Sequence, residues 1–258
     1  MAHHLRNSIF SLSLALAVAL PFPALAGEAT IAVAANFAGT LEQLQKNFEA
    51  AGNHKLIIIS GATGKLTAQI TEGAPFDVLL SADDKATKTL AEGGQAVADI
   101  EFTYAIGTLA LFSADPQRIT GDGATVLKEG RFDKLAIANP KVAPYGVAAE
   151  ETMKALKVAD AVKDKIVMGE NIGQTFQMID TGNAQLGFVA LSQVLGSESG
   201  KKGSYWTVPG NLHDPIRQNA ILLTRAKDNA DAKAFLEFLR SPEAKDKIKA
   251  AGYETVDN

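Results

Sequence analysis

The chain has 258 residues, 47% of them hydrophobic and 21% charged, with 22 Gly, 9 Pro and no Cys, which excludes disordered, collagen-like and disulfide-stapled proteins. Its length suits one large domain or two small ones, with enough core to fold without staples. A formal charge of −4, from 25 basic against 29 acidic residues, argues against a basic face that grips nucleic acid, polyphosphate or an anionic membrane.

Residues 1–26 read as a removable export signal. Arg6 lies in a short basic start, an apolar run follows from Ile9 to Leu20, Pro21 and Pro23 break any helix, and Ala24-Leu25-Ala26 is an A-x-A cleavage site. Cleavage after Ala26 leaves a chain that begins at Gly27 and works in the periplasm. No later stretch approaches the ~18 apolar residues of a spanning helix, so no membrane insertion of the mature chain is expected.

From Gly27 the pattern is short apolar strand, turn, amphipathic helix. Ala29 to Ala34 reads as a strand, and Phe37, Leu41, Leu44 and Phe48 then mark one face of a helix stopped at Gly52. Lys55 to Ile59 is a second strand, followed by a Gly-rich turn and a helix carrying Leu66 and Ile70. Asp77 to Leu80 is a third, and its helix ends at Gly93-Gly94. This alternation predicts a parallel sheet covered on both faces.

After Glu101 to Tyr104 the same grammar restarts. Strands at Thr108 to Phe112, Leu135 to Ala138 and Leu186 to Val189 alternate with helices that begin near Val147 and Ile172, predicting a second parallel sheet. Gly196 to Gly203 reads as a mobile polar loop. Gln218 to Leu223 is a last strand, and two helices close the chain, one carrying Phe235, Leu236, Phe238 and Leu239 and one opening at Ser241-Pro242-Glu243. Those helices are too few for a third domain and are expected to return to the first lobe. Residues 27–104 with 218–258 would then form lobe one and residues 105–217 lobe two, with strand ends and helix N-termini facing a cleft between them.

The chemistries of common enzymes lack their residues. The mature chain holds two His, His54 and His213, both read as surface residues, and no H-E-x-x-H spacing, so no metal site of direct ligands is expected. Gly61-Ala62-Thr63-Gly64-Lys65 imitates a phosphate loop, but Ile59 and Leu66 occupy the positions that need Gly and Ser or Thr. Gly196-Ser197-Glu198-Ser199-Gly200 places Glu where a nucleophile elbow needs Ser. Asp83-Asp84 and Glu150-Glu151 read as first-turn helix carboxylates, favoured there by the helix dipole. No catalytic residue is assigned, and no cofactor is expected.

What remains is a set of small or polar residues between strands and helices: Asn36, Thr63, Pro144-Tyr145-Gly146 and Asn171-Ile172-Gly173. Each position exposes free backbone N–H groups at the positive end of a helix, where an anion binds without Lys or Arg. Physical argument alone reaches a small anion in a cleft between lobes.

The segments AVAANF (Ala32 to Phe37), GATGKLTAQI (Gly61 to Ile70), EGAPFDVLLSAD (Glu72 to Asp83), ANPKVAPYG (Ala138 to Gly146) and NAQLGFVALSQ (Asn183 to Gln193), in this order, resemble the periplasmic molybdate-binding proteins of ABC uptake transporters. The resemblance covers essentially the whole mature chain and implies an α/β fold, the two-lobed type II periplasmic binding protein. It implies high-affinity capture of molybdate, and of tungstate as well, and delivery to a membrane permease, by a monomer that binds no nucleic acid. Carried over by residue, the oxyanion contacts are Ala35 and Asn36, through backbone and side-chain N–H, Thr63 through backbone and hydroxyl, Tyr145 through its backbone N–H and phenol, and Ile172 through its backbone N–H. The metal is thereby held as an oxyanion by these residues, with no direct ligands. Ala190 stands where some members carry Tyr, which leaves Tyr145 as the residue that could supply that phenol and leaves the fifth contact and the selectivity open. Binding of another small anion, such as sulfate or an organic anion, shares the architecture, and an exported α/β enzyme is the remaining alternative.

Overall fold

The computed structural model describes residues 27–256, so the expected export signal and the cleavage expected after Ala26 lie outside the described residues. Two five-stranded sheets, each flanked by helices, form two lobes.

The first sheet is built from β1 (Gly27–Ala34), β2 (His54–Gly61), β3 (Val78–Leu80), β4 (Ala96–Gly107) and the late strand β10 (Ile216–Leu223), in the order β2-β1-β3-β10-β4. β1 pairs in parallel with β2 and β3, and β10 runs antiparallel to β3 and β4. Helices α1 (Ala38–Ala51), α2 (Thr63–Thr71) and α3 (Asp84–Glu92) follow the first three strands. Successive β1 residues face opposite sides: Ile31 and Val33 join the cluster with Leu41, Leu44 and Phe48 of α1, whereas Ala32 joins Leu66 and Ile70 of α2. The closing helices α10 (Ala230–Arg240) and α11 (Pro242–Ala250) place Phe235, Leu236, Leu239 and Ile248 in the α1 side of that core.

The second sheet has the order β7-β6-β8-β5-β9, from β5 (Leu109–Ser113), β6 (Leu135–Ala138), β7 (Ile166–Gly169), β8 (Leu186–Ala190) and β9 (Ser204–Thr207). Its helices are α4 (Gly123–Glu129), α5 (Pro144–Ala155), α6 (Ala159–Val162), α7 (Ile172–Asp180), α8 (Leu191–Gly196) and α9 (Glu198–Lys202).

Several expectations need correction. Both sheets are mixed, because β10 in one and β5 in the other enter antiparallel, and the edge strands β7 and β9 are short and half exposed, with little apolar signal. The segment read as a loop over Gly196 to Gly203 holds α9, capped by Ser197, whose Oγ accepts the Gly200 N–H at 3.0 Å. The helix expected near Val147 starts at Pro144, whose fixed φ and missing N–H suit a first turn. Glu150 and Glu151 consequently sit mid-helix, while Asp83 does cap α3. His54 is half-buried, stacked on Phe48 and 2.5 Å from Asp231, and His213 is also half-buried, with its Nδ1 2.7 Å from Asp214 O.

Candidate anion-binding site

The carboxyl ends of the parallel strands in both sheets point at one crevice, where ligands sit in open α/β sheets. There Ala35, Asn36, Thr63, Tyr145 and Ile172 all line a single pocket of about 200 Å³, mouth included, walled otherwise by small residues such as Ala62, Ala82 and Ala143. Its enclosed part is about 10 Å³, roughly the room of one water, so the lobes leave no space here for a drug-sized ligand. None of the lining residues carries a charged side chain.

The first lobe contributes two donor groups. In the turn after β1, Ala35 N–H donates to Gly61 O and Phe37 N–H to Ala34 O, both at 2.9 Å, which leaves the Asn36 N–H between them without an acceptor among the described residues. Ala35 therefore supplies wall and not a donor, a correction that follows from the β1–β2 ladder continuing one residue past its last strand pair. The Asn36 side chain also departs from expectation. Its Nδ2 donates to Gln218 Oε1 at 2.7 Å and to Tyr253 Oη at 3.2 Å, so both amide hydrogens are committed inside the protein. Thr63 opens α2 behind Ala62, which offers no side-chain cap, and its N–H has no partner among the described residues. Its Oγ1 accepts the Ala82 N–H at 3.1 Å, which leaves the hydroxyl hydrogen uncommitted.

The second lobe contributes helix starts. Pro144 has no N–H, and Ala143 no side-chain cap, so Tyr145 N–H is the leading free donor of α5. The Tyr145 ring is 1% exposed, and burial pushes its phenol well above the ordinary range, which keeps it a neutral donor. Its oxygen accepts from Gln218 Nε2 at 3.4 Å, and a Cβ at Gly107 would collide with it, so the phenol sits where only glycine leaves room. At α7, Asn171 accepts the Gln174 N–H at 3.0 Å and leaves the Ile172 N–H free. Gln193 Nε2 donates to Ile172 O at 3.1 Å and tethers the first turn of α7.

The uncommitted hydrogens are thus backbone N–H groups of Asn36, Thr63, Tyr145 and Ile172 with the hydroxyls of Thr63 and Tyr145. The helix ends of α2, α5 and α7 add a fixed positive potential of about half a charge each. The lobes meet around this pocket: Gly64 N–H donates to Val142 O at 2.9 Å, Lys65 Nζ pairs with Glu170 at 2.8 Å, and Ser192 Oγ donates to Asn36 O at 3.1 Å. Lys65 holds the exposed Glu170 carboxyl below its usual range. A wider groove of about 1460 Å³, open solvent included, shares Ala35 and Asn36 but is also lined by Glu42, Lys46 and Lys247, charged side chains of both signs. Gln218, Tyr104, Tyr253, Ser192 and Gln193 escaped the sequence reading. Their one signal is the polar pair Gln218-Asn219 leading into the apolar run of residues 220–223.

The profile of the bacterial extracellular solute-binding proteins matches residues 29–254. The chain is 47% identical over 228 residues to the molybdate-binding protein ModA of Azotobacter vinelandii, covering 88% of this chain and 90% of that one. It is 46% identical over 243 residues to ModA of Rhodobacter capsulatus, covering 94% of each. Among solved structures, the periplasmic molybdate-binding protein of Azotobacter vinelandii superposes with a TM-score of 0.85 at 38% identity, over 89% of this chain and 100% of the other.

Proposed function

Because the chain belongs to the bacterial extracellular solute-binding proteins and, within them, to the molybdate-binding family, we propose that it captures molybdate in the periplasm and hands it to the permease of an ABC transporter. The observation that carries this reading is the convergence of neutral, uncommitted donors from both lobes on one small pocket without a charged side chain. Tungstate, of the same charge and shape, uses the same contacts. The metal is held only as an oxyanion, no cofactor is required, and the protein performs no catalysis.

Asn36, Thr63, Tyr145 and Ile172 are the contact residues of this proposal, with Ala35 as wall. A hydrogen bond to a charged group contributes about 1.5–3 kcal/mol, so several of them outweigh the ordering of two lobes and reach micromolar to nanomolar affinity, about −8 to −12 kcal/mol. Neutral donors avoid the desolvation cost of a buried Lys or Arg. Since these donors close from both sides, capture and lobe closure are one event, and the closed monomer is the form the permease receives. Discrimination from sulfate rests on the spacing of the helix starts across the small alanine walls.

Isothermal titration with molybdate, tungstate, sulfate and phosphate tests the reading. One-to-one binding of molybdate and tungstate is expected, with no heat from sulfate or phosphate, and silence with the first two sinks it. Thr63→Val, which removes the hydroxyl donor, is expected to weaken molybdate binding by about tenfold or more.

A further inference from the structure

Beneath the pocket lies a buried polar cluster on strands that no direct contact with the ligand requires. Gln218 is on β10 and fully buried, beside a bulge at which Gln218 pairs with Ala105 and Asn219 with Thr103, so that Tyr104 is the extra residue of β4. The bulge gives Tyr104 an orientation the regular ladder would deny it. Its ring packs on Phe37 at 4.7 Å and its Oη donates to Gln218 Oε1 at 3.1 Å. Asn36 Nδ2 donates to the same Oε1 at 2.7 Å. Asn36 is itself fixed from its other side, where Tyr253 Oη donates to Asn36 O at 2.8 Å and Ser192 Oγ lies 2.8 Å from that phenol.

In this network Gln218 Oε1 accepts from Asn36 Nδ2 and from Tyr104 Oη, which also lies 3.4 Å from Ser81 O, so Gln218 presents Nε2, a donor only, to Tyr145 Oη at 3.4 Å. Tyr145 is then the acceptor in that pair, and its own hydrogen has no acceptor among the described residues. We infer that Gln218 is a positioning residue for anion capture, which holds the Tyr145 phenol as an acceptor at its back so that its hydrogen is aimed at the ligand. The inference rests on the anion-binding reading above and adds to it a residue that does not line the pocket. A phenol that donates to an anion becomes a better acceptor, so the long Gln218–Tyr145 contact is expected to shorten on binding, in the cooperative manner of hydrogen-bond chains. The cluster also ties the first lobe's turn donor to the second lobe's phenol through one side chain.

A double-mutant cycle on the protein purified after expression of the full chain tests this. Molybdate affinity is measured for the parent, Gln218→Met, Tyr145→Phe and the double variant, with thermal unfolding of each in the absence of ligand. Both single variants are expected to lose about tenfold or more in affinity, and the double variant no more than Tyr145→Phe alone, because Gln218 acts through that phenol. A merely structural role for Gln218 would lower the unfolding temperature and add its loss of affinity to that of Tyr145→Phe. Parent-like binding by Gln218→Met, or additive losses, overturns the inference. Absence of molybdate binding by the parent would instead remove the proposed function itself. If Gln218→Met does not fold, Gln218→Glu serves: it keeps the oxygen that Asn36 and Tyr104 need but turns the group facing Tyr145 from donor to acceptor. Its loss should vanish in the Tyr145→Phe background, whereas a loss that persists there reports charge repulsion and overturns the inference.

Discussion

The helices that donate into the pocket and most of the others of nine residues or more are finished differently. α3, α10 and α11 start behind Asp83, Asn229 and Ser241, whose side chains accept the N–H groups of their first turns. α1, α2 and α5 start behind Phe37, Ala62 and Ala143, which make no side-chain cap, and all three starts lie at the crevice between the lobes. α7 is intermediate, since Asn171 serves the Gln174 N–H and leaves Ile172 open. An unsatisfied helix start destabilises, so leaving several of them together is tolerable only where another partner arrives. The difference teaches that the site is recognised less by residues that are present than by caps that are missing. It also explains how a chain of net charge −4 can hold an anion with no charged residue in the pocket.

The comparison can be broken by supplying a missing cap. Ala143→Asp places a carboxylate where it accepts the Tyr145 N–H, the donor proposed for the anion, and adds a like charge. Molybdate affinity is expected to fall by more than about a hundredfold, through loss of one charged hydrogen bond and the added repulsion. Ligand-free stability should stay within about 1 kcal/mol, because an N-cap contributes about 0.5–2 kcal/mol against the burial of the new group. Parent-like affinity, read by titration, would place the Tyr145 N–H outside the site.

The converse removes a cap that exists away from the pocket. Asn229 accepts the N–H groups of both Asp231 and Ala232 at the start of α10. Asn229→Ala is expected to lower stability by about 1 kcal/mol in denaturant unfolding and to leave molybdate affinity within about twofold. A large loss of affinity would mean that helix starts far from the crevice are coupled to it, and the distinction between the two groups would lose its meaning.

Much of this division was legible in the sequence. Ser241-Pro242 announces a capped start and Asn171-Ile172 a helix opening, and the alternation of apolar strands with one-faced helices predicts the layers around Ile31, Leu41 and Phe235. Strand direction was not legible, because a short apolar run such as Leu109–Ser113 reads the same whether its neighbour runs parallel or antiparallel. At the site, the residues that open the helices were legible, but their committed hydrogens were not. Ala35 loses its N–H to Gly61 through the β1–β2 register, and the Asn36 amide is taken by Gln218 from 182 residues away. Which donors remain free is therefore a property of long-range pairing, and Gln218 has no local signal beyond a polar residue ahead of the apolar run of residues 220–223.

The smallest expected effect is an absence of pH dependence, and it tests the neutrality of the site directly. The pocket lining holds no Asp, Glu, His, Lys or Arg, and its one titratable group is the Tyr145 phenol. Burial pushes that phenol well above its ordinary value of 10.0. The sign follows from the charged form being the deprotonated one: the hydrogen that donates to the anion is present below the raised value and lost only as pH climbs through it. Affinity for the dianion, titrated between roughly pH 6 and pH 9, should therefore be flat, since no ordinary side chain of the pocket changes charge in that range. A site that relied on His or on a depressed Lys would lose affinity as pH rises through their values, by up to a decade per unit. A slope of that kind would show that the charge opposing the anion comes from outside the pocket, with Lys65 and with Lys46 and Lys247 of the wider groove as candidates to mutate.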